Sequence, residues 1–225
     1  MKKNYMNIPT YKYIENDPLE RGINYENALQ WFDHKTLKKE YTMEERKMNQ
    51  KHFENIVAMA NFDENDSYPE AAWQAVNIWN TLCNCGLENR AMTFSSEKLL
   101  ERASAKNHLA ATAYLALTTS TLIPFDNTNE TFNKTKTLYE KAIHLCDNPQ
   151  LPSDRKKYSD AGLNRLKSEY MTKLGALYEQ GASPNIELAR QWYEKAIASH
   201  GNSHALARLK QLKREAKLAK KTQTN

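Results

Sequence analysis

The sequence predicts an all-α protein built from stacked antiparallel helical hairpins. Residues that break helices are rare, since the 225 residues include 6 glycines and 7 prolines, whereas an all-β protein needs many turns rich in both. The apolar residues are mostly alanine, leucine and aromatics, with few valines and isoleucines, which favours helix over strand. In addition, one short block of residues occurs three times. A recurring block of this kind indicates a repeat architecture.

The N-terminal part, residues 1–66, is predicted to be an irregular arm plus one or two helices that pack on the repeats. Its first third is polar and aperiodic, and a first helix is expected over 25–34. Thr42 and Glu45 form a capping box, in which hydroxyl and carboxylate satisfy free amides of a first turn. The helix that they open is expected to continue to about Ala60.

The next helix marks the start of the predicted repeat array, which covers 67–215. Ser67 is suited to cap this helix, and Pro69 falls in its first turn, where the missing N–H costs nothing. The helix is predicted to reach about Asn84 and to end at Gly86, which can adopt a left-handed conformation.

The recurring block reads large, large, acidic, basic, alanine. Its first and last members are four residues apart and therefore share a helix face, while the charged pair between them is expected to face water. The first two copies are 39 residues apart and the last two 54, and the excess is assigned to an insertion around 147–159. The copies are Leu99-Leu100-Glu101-Arg102-Ala103, Leu138-Tyr139-Glu140-Lys141-Ala142 and Trp192-Tyr193-Glu194-Lys195-Ala196.

A second pattern accompanies each block and completes a helix–turn–helix unit. In two copies the linking turn contains Asn107 or Gly201, and both residue types tolerate the left-handed conformation that such a turn needs. Stacked units would bury a continuous core and leave a curved groove. The second pattern consists of the pairs Ala75 and Trp79, Ala111 and Leu115, Tyr170 and Leu174, and Ala205 and Leu209.

The residues over 174–181 and 189–196, followed by Gly201 and Ala205, resemble a Sel-one-like repeat. That family is a variant of the tetratricopeptide hairpin, and the resemblance extends in weaker form over about 70–215. It implies a right-handed superhelical α-solenoid whose concave face binds protein, here with 216–225 as a basic C-terminal tail.

The resemblance also implies a role. Bacterial members of the family often act as adaptors, as regulators, or as immunity proteins that neutralise a toxin or effector. Some secreted members carry a cysteine pair in each repeat, whereas this chain has three cysteines in all. The N-terminus lacks the apolar segment of a secretion signal, and no run approaches 18 apolar residues. The expectation is therefore a cytoplasmic protein, monomeric or weakly dimeric, that binds one protein partner and no membrane.

The groove-facing side chains of the predicted stack form a mainly polar surface, which suits a peptide or protein segment better than a lipid or other apolar ligand. The helical register also places Ala110, Ala113, Leu117, Ser120, Ala176 and Ala207 on this face. The polar candidates for binding are Gln74, Asn77, Thr81, Asn84, Glu169, Thr172, Glu179, His204, Gln211 and Arg214.

Catalysis has little support in the sequence. There is no HExxH pair, no glycine-rich phosphate loop and no G-x-S-x-G elbow, so the prediction is a protein that is no enzyme and holds no metal or cofactor. A rival hypothesis is a hydrolase with a site between the N-terminal part and the solenoid. It relies on His34 beside Asp33 and on His52 near Glu54.

The positive charge is concentrated at the C-terminus. Residues 208–225 hold seven basic residues and one acidic residue, or +6, so the total of +5 leaves about −1 for 1–207. The simplest interpretation is a purely structural one, a final helix that caps the repeat array with Leu206, Leu209 and Leu212 in its apolar stripe. Two alternatives are the binding of an acidic protein partner and nucleic-acid binding through this helix, and the neutral body does not favour nucleic acid.

Overall fold

The computed structural model describes residues 27–30, 42–61, 69–84, 96–123, 128–181 and 183–223. Within these ranges the chain forms helices, turns and short irregular links and no strand, which confirms the all-α prediction. In the same part of the chain, no helix is both long and apolar enough to cross a bilayer. The chain divides into two compact units, Met1–Arg102 and Ala103–Asn225, and the division falls inside the predicted repeat array.

Unit 1 contains a packed pair of helices, α1 (Met43–Asn61) and α2 (Pro69–Asn84). Both begin and end close to the predicted residues. Their apolar faces meet, since Phe53 is 1% exposed and its ring stacks on Trp79 with 5.4 Å between centroids. Of the helix predicted over 25–34, residues 27–30 are helical and the remainder lies outside the described residues.

The division between the units falls within α3 (Ser96–Ala105), which is followed by α4 (Leu109–Ser120). The turn between them contains Asn107 at a φ of 64°, so the predicted left-handed residue is confirmed. The turn that precedes the last helix is built in the same way, around Gly201 at a φ of 59°.

Unit 2 continues with helices that pack mainly on their neighbours in sequence. The contacts join α4 to α5, α5 to α7, α7 to α8, and α8 to α9, while α6 is a short helix within the predicted insertion. This order is what a row of hairpins requires. The helices are α5 (Asn129–Asp147), α6 (Pro152–Lys157), α7 (Asp160–Gln180), α8 (Ile186–His200) and α9 (Ser203–Gln223).

The repeated blocks supply equivalent core positions. The second large residue and the alanine of every block are no more than 2% exposed, and Leu115, Leu174 and Leu209 of the second pattern are also buried. The small alanines allow neighbouring helices to approach closely, as their spacing predicts. These core positions are Leu100 and Ala103 on α3, Tyr139 and Ala142 on α5, and Tyr193 and Ala196 on α8.

The charged pair of the block follows the prediction except at its basic position, where Arg102 of the first copy and Lys141 of the second are half-buried. Glu140, Glu194 and Lys195 are exposed, but Lys141 is half-buried and its ammonium donates a hydrogen bond to the Ser104 carbonyl. Burial lowers the pKa of Lys141. This lysine therefore ties α5 to the end of α3 instead of facing only water.

The insertion is a structural part of unit 2. Asp154 on α6 is 1% exposed, and its Oδ2 accepts a hydrogen bond from the Leu109 amide at 3.1 Å. His108, also fully buried, accepts from the Ala111 amide through Nδ1. These two side chains satisfy free amides at the start of α4, where the helix dipole also favours a negative charge. The segment over 147–159 thus caps a helix that lies 45 residues earlier.

Helices α7 and α8 approach closely at Gly175. A Cβ there would lie 2.8 Å from Cε1 of Tyr193 and 3.2 Å from the Ala189 carbonyl oxygen. The Tyr193 ring is 2% exposed and its hydroxyl donates to Glu179, so the ring cannot easily move away.

Gly175→Ala is expected to lower the free energy of unfolding by about 2 kcal/mol, because overpacking a rigid site outweighs the gain in helix propensity. Gly162→Ala in the first turn of the same α7 is the matched control. Its nearest contact would be Ser159 Oγ at 3.4 Å, so it should raise stability by about 0.5–1 kcal/mol. Urea unfolding followed by circular dichroism measures both, and two stabilising changes would contradict the close approach.

Candidate functional site

A pocket of about 430 Å³ lies in unit 2, where α4 ends beside α5 and α7. Ile123 and Leu177 are buried and form its apolar floor. The rim carries Lys173 and Gln180, both exposed on α7. The complete lining is Ser120, Ile123, Tyr139, Lys173, Ala176, Leu177, Gln180 and Gly181.

The polar groups of the pocket are mainly hydrogen-bond donors. Burial raises the pKa of Tyr139, so its phenol is neutral at physiological pH, and its hydroxyl lies 3.5 Å from Ser120 Oγ. Within the described residues, no carboxylate lies within ion-pair distance of Lys173. The pocket therefore offers an ammonium and an amide at its rim, together with an apolar floor and a buried phenol that donates to Ser120.

The shape of the pocket depends on how α7 ends. Gly181 follows the helix in an extended conformation, with φ −67° and ψ 175°, and its amide donates to the Leu177 carbonyl at 2.9 Å. A Cβ at Gly181 would lie 2.6 Å from the Phe132 ring of α5. Glycine is thus needed here for the close approach of α5 and not for a left-handed conformation.

The predicted binding residues of unit 1 lie on α2. Gln74 and Asn77 are half-buried, and the Gln74 amide donates to the Glu70 carboxylate at 2.7 Å. Thr81 and Asn84 belong to the helix, but their side chains lie outside the described residues.

Four of the predicted binding residues of unit 2 are exposed to solvent. Glu169 is exposed, with a carboxylate oxygen 3.9 Å from Arg165 Nε. His204, Gln211 and Arg214 are exposed on α9. These three are separated from the pocket, since none of them lines it.

Two predicted groove residues have structural roles instead. Thr172 is 6% exposed and its hydroxyl donates to the Ser168 carbonyl at 2.8 Å, so it is a packing residue and not a surface contact. The Glu179 side chain is 7% exposed. Its carboxylate accepts hydrogen bonds from the Tyr193 hydroxyl at 2.9 Å and from both Nε and Nη2 of Arg208. Glu179 therefore links α7 to α8 and α9.

The pocket brings together residues that the groove register includes and residues that it does not. Of the positions that the register assigns to the groove, Ser120 and Ala176 line the pocket, whereas Ala113 is buried. Tyr139 belongs to a recurring block, and neither Lys173 nor Gln180 belongs to the predicted groove. The spacing of Lys173, Ala176 and Gln180 is i, i+3, i+7, which places all three on one helix face and is the signal in the sequence that could have identified them.

The residues of the alternative hydrolase and metal-site hypotheses are described only in part. In the described part of the chain, no three His, Cys, Asp or Glu side chains lie close enough to hold a metal ion. His34 and Asp33 lie outside the described residues, while His52 is half-buried on α1. Cys146 is 5% exposed, and burial raises its pKa to about 12, so the thiol is protonated and unreactive at physiological pH.

In comparisons with known proteins, no family model, no curated protein and no solved structure matches this chain.

Proposed function

We propose that the chain is a non-enzymatic protein-binding module that holds a segment of one partner protein in the pocket of unit 2. The observation that carries this proposal is the composition of that pocket. It combines an apolar floor and the buried phenol of Tyr139 with an amide and an ammonium at its rim. Such a mixture fits a peptide, whose side chains can occupy the floor while its carbonyl and carboxylate oxygens accept from the rim.

The lining supports binding over catalysis. None of its eight residues is a carboxylate, an imidazole or a thiol. Carboxylates and imidazoles are the groups that most often act as general base in enzymes. The Ser120 hydroxyl, a possible nucleophile, donates its proton to the Leu117 carbonyl at 2.7 Å and not to a base. The phenol of the pocket, Tyr139, is held in the protonated form by burial. The groups present are suited to donate hydrogen bonds to a bound segment.

The architecture that we propose around this pocket is the Sel-one-like one. The equivalent burial of the recurring blocks, the left-handed turns and the packing between consecutive helices in unit 2 all support a stack of hairpins. A right-handed superhelix over 67–215 would extend this arrangement. In the cytosol such a module would act as an adaptor or as an inhibitor of the immunity-protein kind.

Site-specific photo-cross-linking in the cells that make this protein tests the proposal. A benzophenone amino acid at Gln180, on the pocket rim, is expected to give a discrete conjugate with one protein. The matched control places the same residue at Gln191, which is equally exposed on α8 but lies outside the pocket. The conjugated protein is then identified by mass spectrometry and purified.

Calorimetry with that purified partner completes the test. Ala176→Arg should fill the pocket and weaken binding at least about tenfold, a loss of roughly 1.4 kcal/mol. Ala198→Arg adds the same side chain at an exposed position of α8 and should leave affinity unchanged. Conjugates that form equally at both glutamines, or equal affinity of both arginine variants, would exclude the pocket as the binding site.

A further inference from the structure

A basic stripe runs along α9 on a face that the rest of unit 2 leaves uncovered. Lys210, Lys213, Arg214 and Lys217 are all exposed. Their spacing is i, i+3, i+4 and i+7, and at about 100° per residue this places them within one face, over roughly 10 Å of helix. We call these four residues the basic stripe.

The opposite side of α9 is committed to the core. Ala205, Leu209 and Leu212 are no more than 6% exposed, and they lie where α9 packs on α8. Beyond Leu212 no other described helix packs over α9, since every residue from Lys213 to Leu218 is exposed. The first half of α9 therefore anchors the helix, while its second half presents the stripe to solvent.

The charge of this face is not neutralised within the described residues. No carboxylate lies within ion-pair distance of the four cations there. The one acidic residue of the helix, Glu215, accepts a hydrogen bond from Gln211 at 2.9 Å. A face with four like charges and no counter-charge favours an anionic partner.

Two exposed leucines at the edge of the basic stripe favour a protein partner over a nucleic acid. Leu206 lies one turn before Lys210 and is 40% exposed, and Leu218 lies beside Arg214 on the next turn and is 63% exposed. A phosphate backbone gains nothing from such side chains, whereas a protein segment can bury them at about 25 cal/mol per Å². The charge of residues 1–207, about −1, also gives nucleic acid no further attraction.

We propose that the basic stripe of α9 is a second binding surface, distinct from the pocket, for an acidic amphipathic helix of a partner protein. Carboxylates spaced i, i+3, i+4 and i+7 on that helix would face the four cations, while its apolar residues would cover Leu206 and Leu218. This surface does not depend on the pocket, because none of its residues lines the pocket.

Fluorescence anisotropy with the full-length protein tests this assignment. The probe is a labelled synthetic helical peptide with glutamates at i, i+3, i+4 and i+7 and leucines flanking them. There are two comparison probes. The first is the same peptide with serines in place of its leucines, which has the same charge, and the second is a 20-base-pair DNA duplex, which carries far more negative charge, about 40 phosphates. We expect the leucine-containing peptide to bind at least about tenfold more tightly than either comparison probe at 0.15 M salt, where surface charges are screened beyond about 8 Å.

Variants of the chain assign the binding to the stripe. Lys210→Glu, Lys213→Glu and Lys217→Glu together should abolish binding of the peptide. Lys134→Glu, Lys156→Glu and Arg165→Glu together change the net charge equally at exposed positions of α5, α6 and α7 and should retain it. Leu206→Ser with Leu218→Ser should weaken binding of the peptide about tenfold without affecting the DNA duplex.

Three results would overturn the inference. Tighter binding of the DNA duplex, insensitive to the leucine substitutions and falling steeply with salt, would identify a nucleic-acid surface. Equal loss of peptide binding in both triple variants would indicate a general charge effect, and no peptide binding would exclude the surface. Ala176→Arg, which blocks the pocket, should bind the peptide normally, so the outcome is separate from that of the pocket.

Discussion

Arg208→Ala is expected to lower the free energy of unfolding of unit 2 by about 3 kcal/mol, since it leaves the buried Glu179 carboxylate without its cation. The Glu179 side chain is 7% exposed and that of Arg208 is 29% exposed. The guanidinium donates twice to this carboxylate from α9. Because Arg208 is partly in water, the loss should lie at the lower end of the range for buried pairs.

Thermal and urea unfolding measure this loss, and the melting temperature should fall by on the order of 10 °C. The control is the double variant Glu179→Gln with Arg208→Met. It removes both charges but keeps an oxygen that can accept from the Tyr193 hydroxyl. Its stability should stay within about 1 kcal/mol of the original, because no charge is left uncompensated. A double variant as unstable as Arg208→Ala would show that packing, not charge, dominates at this site.

Asp154→Ala is expected to lower stability by about 2 kcal/mol, because it removes a buried helix cap and leaves the Leu109 amide without that acceptor. Asp154→Asn keeps an oxygen at the same place and loses only the charge near the helix N-terminus. It should therefore cost less, about 0.5–1 kcal/mol.

Urea unfolding combined with amide hydrogen exchange follows the effect of Asp154. The amides at the start of α4 should exchange faster in Asp154→Ala, although the substitution lies on α6. Asp160→Ala provides the control, since Asp160 is an exposed acidic residue in the first turn of α7. If the two variants lose similar stability, the insertion does not act as a cap.

Local features of this fold could be predicted from the sequence. The first large residue of a block, which lies four residues before the alanine, is only partly buried in two copies, Leu138 and Trp192, and the fully buried partner of the alanine is the second large residue, three residues before it. The buried alanines themselves, Ala142 and Ala196, follow from their place in the block. The left-handed turn at Asn107 follows from residue type. Both inferences need only a few neighbouring residues, and the structure confirms them.

Features that depend on contacts distant in sequence could not be predicted. Arg208 and Glu179 are 29 residues apart, and Asp154 reaches an amide 45 residues away. Which residues of α7 face the groove depends on the rotation of this helix about its own axis. Thr172 and Ala176 are four residues apart and differ by only about 40° around the helix. That difference decides that Thr172 is buried while Ala176 reaches the pocket.

The packing of consecutive helices in unit 2 has a consequence for how this unit folds. Most of its contacts join helices that are adjacent in the chain, so little loop-closure entropy opposes their formation. Such a unit can begin to fold at any of several hairpins and extend in either direction. The capped start of α4 is different, because Asp154 can bind the Leu109 amide only after the chain between them has collapsed. That hydrogen bond is expected to form late in folding. The start of α4 therefore becomes fully ordered only after α6 has packed against it.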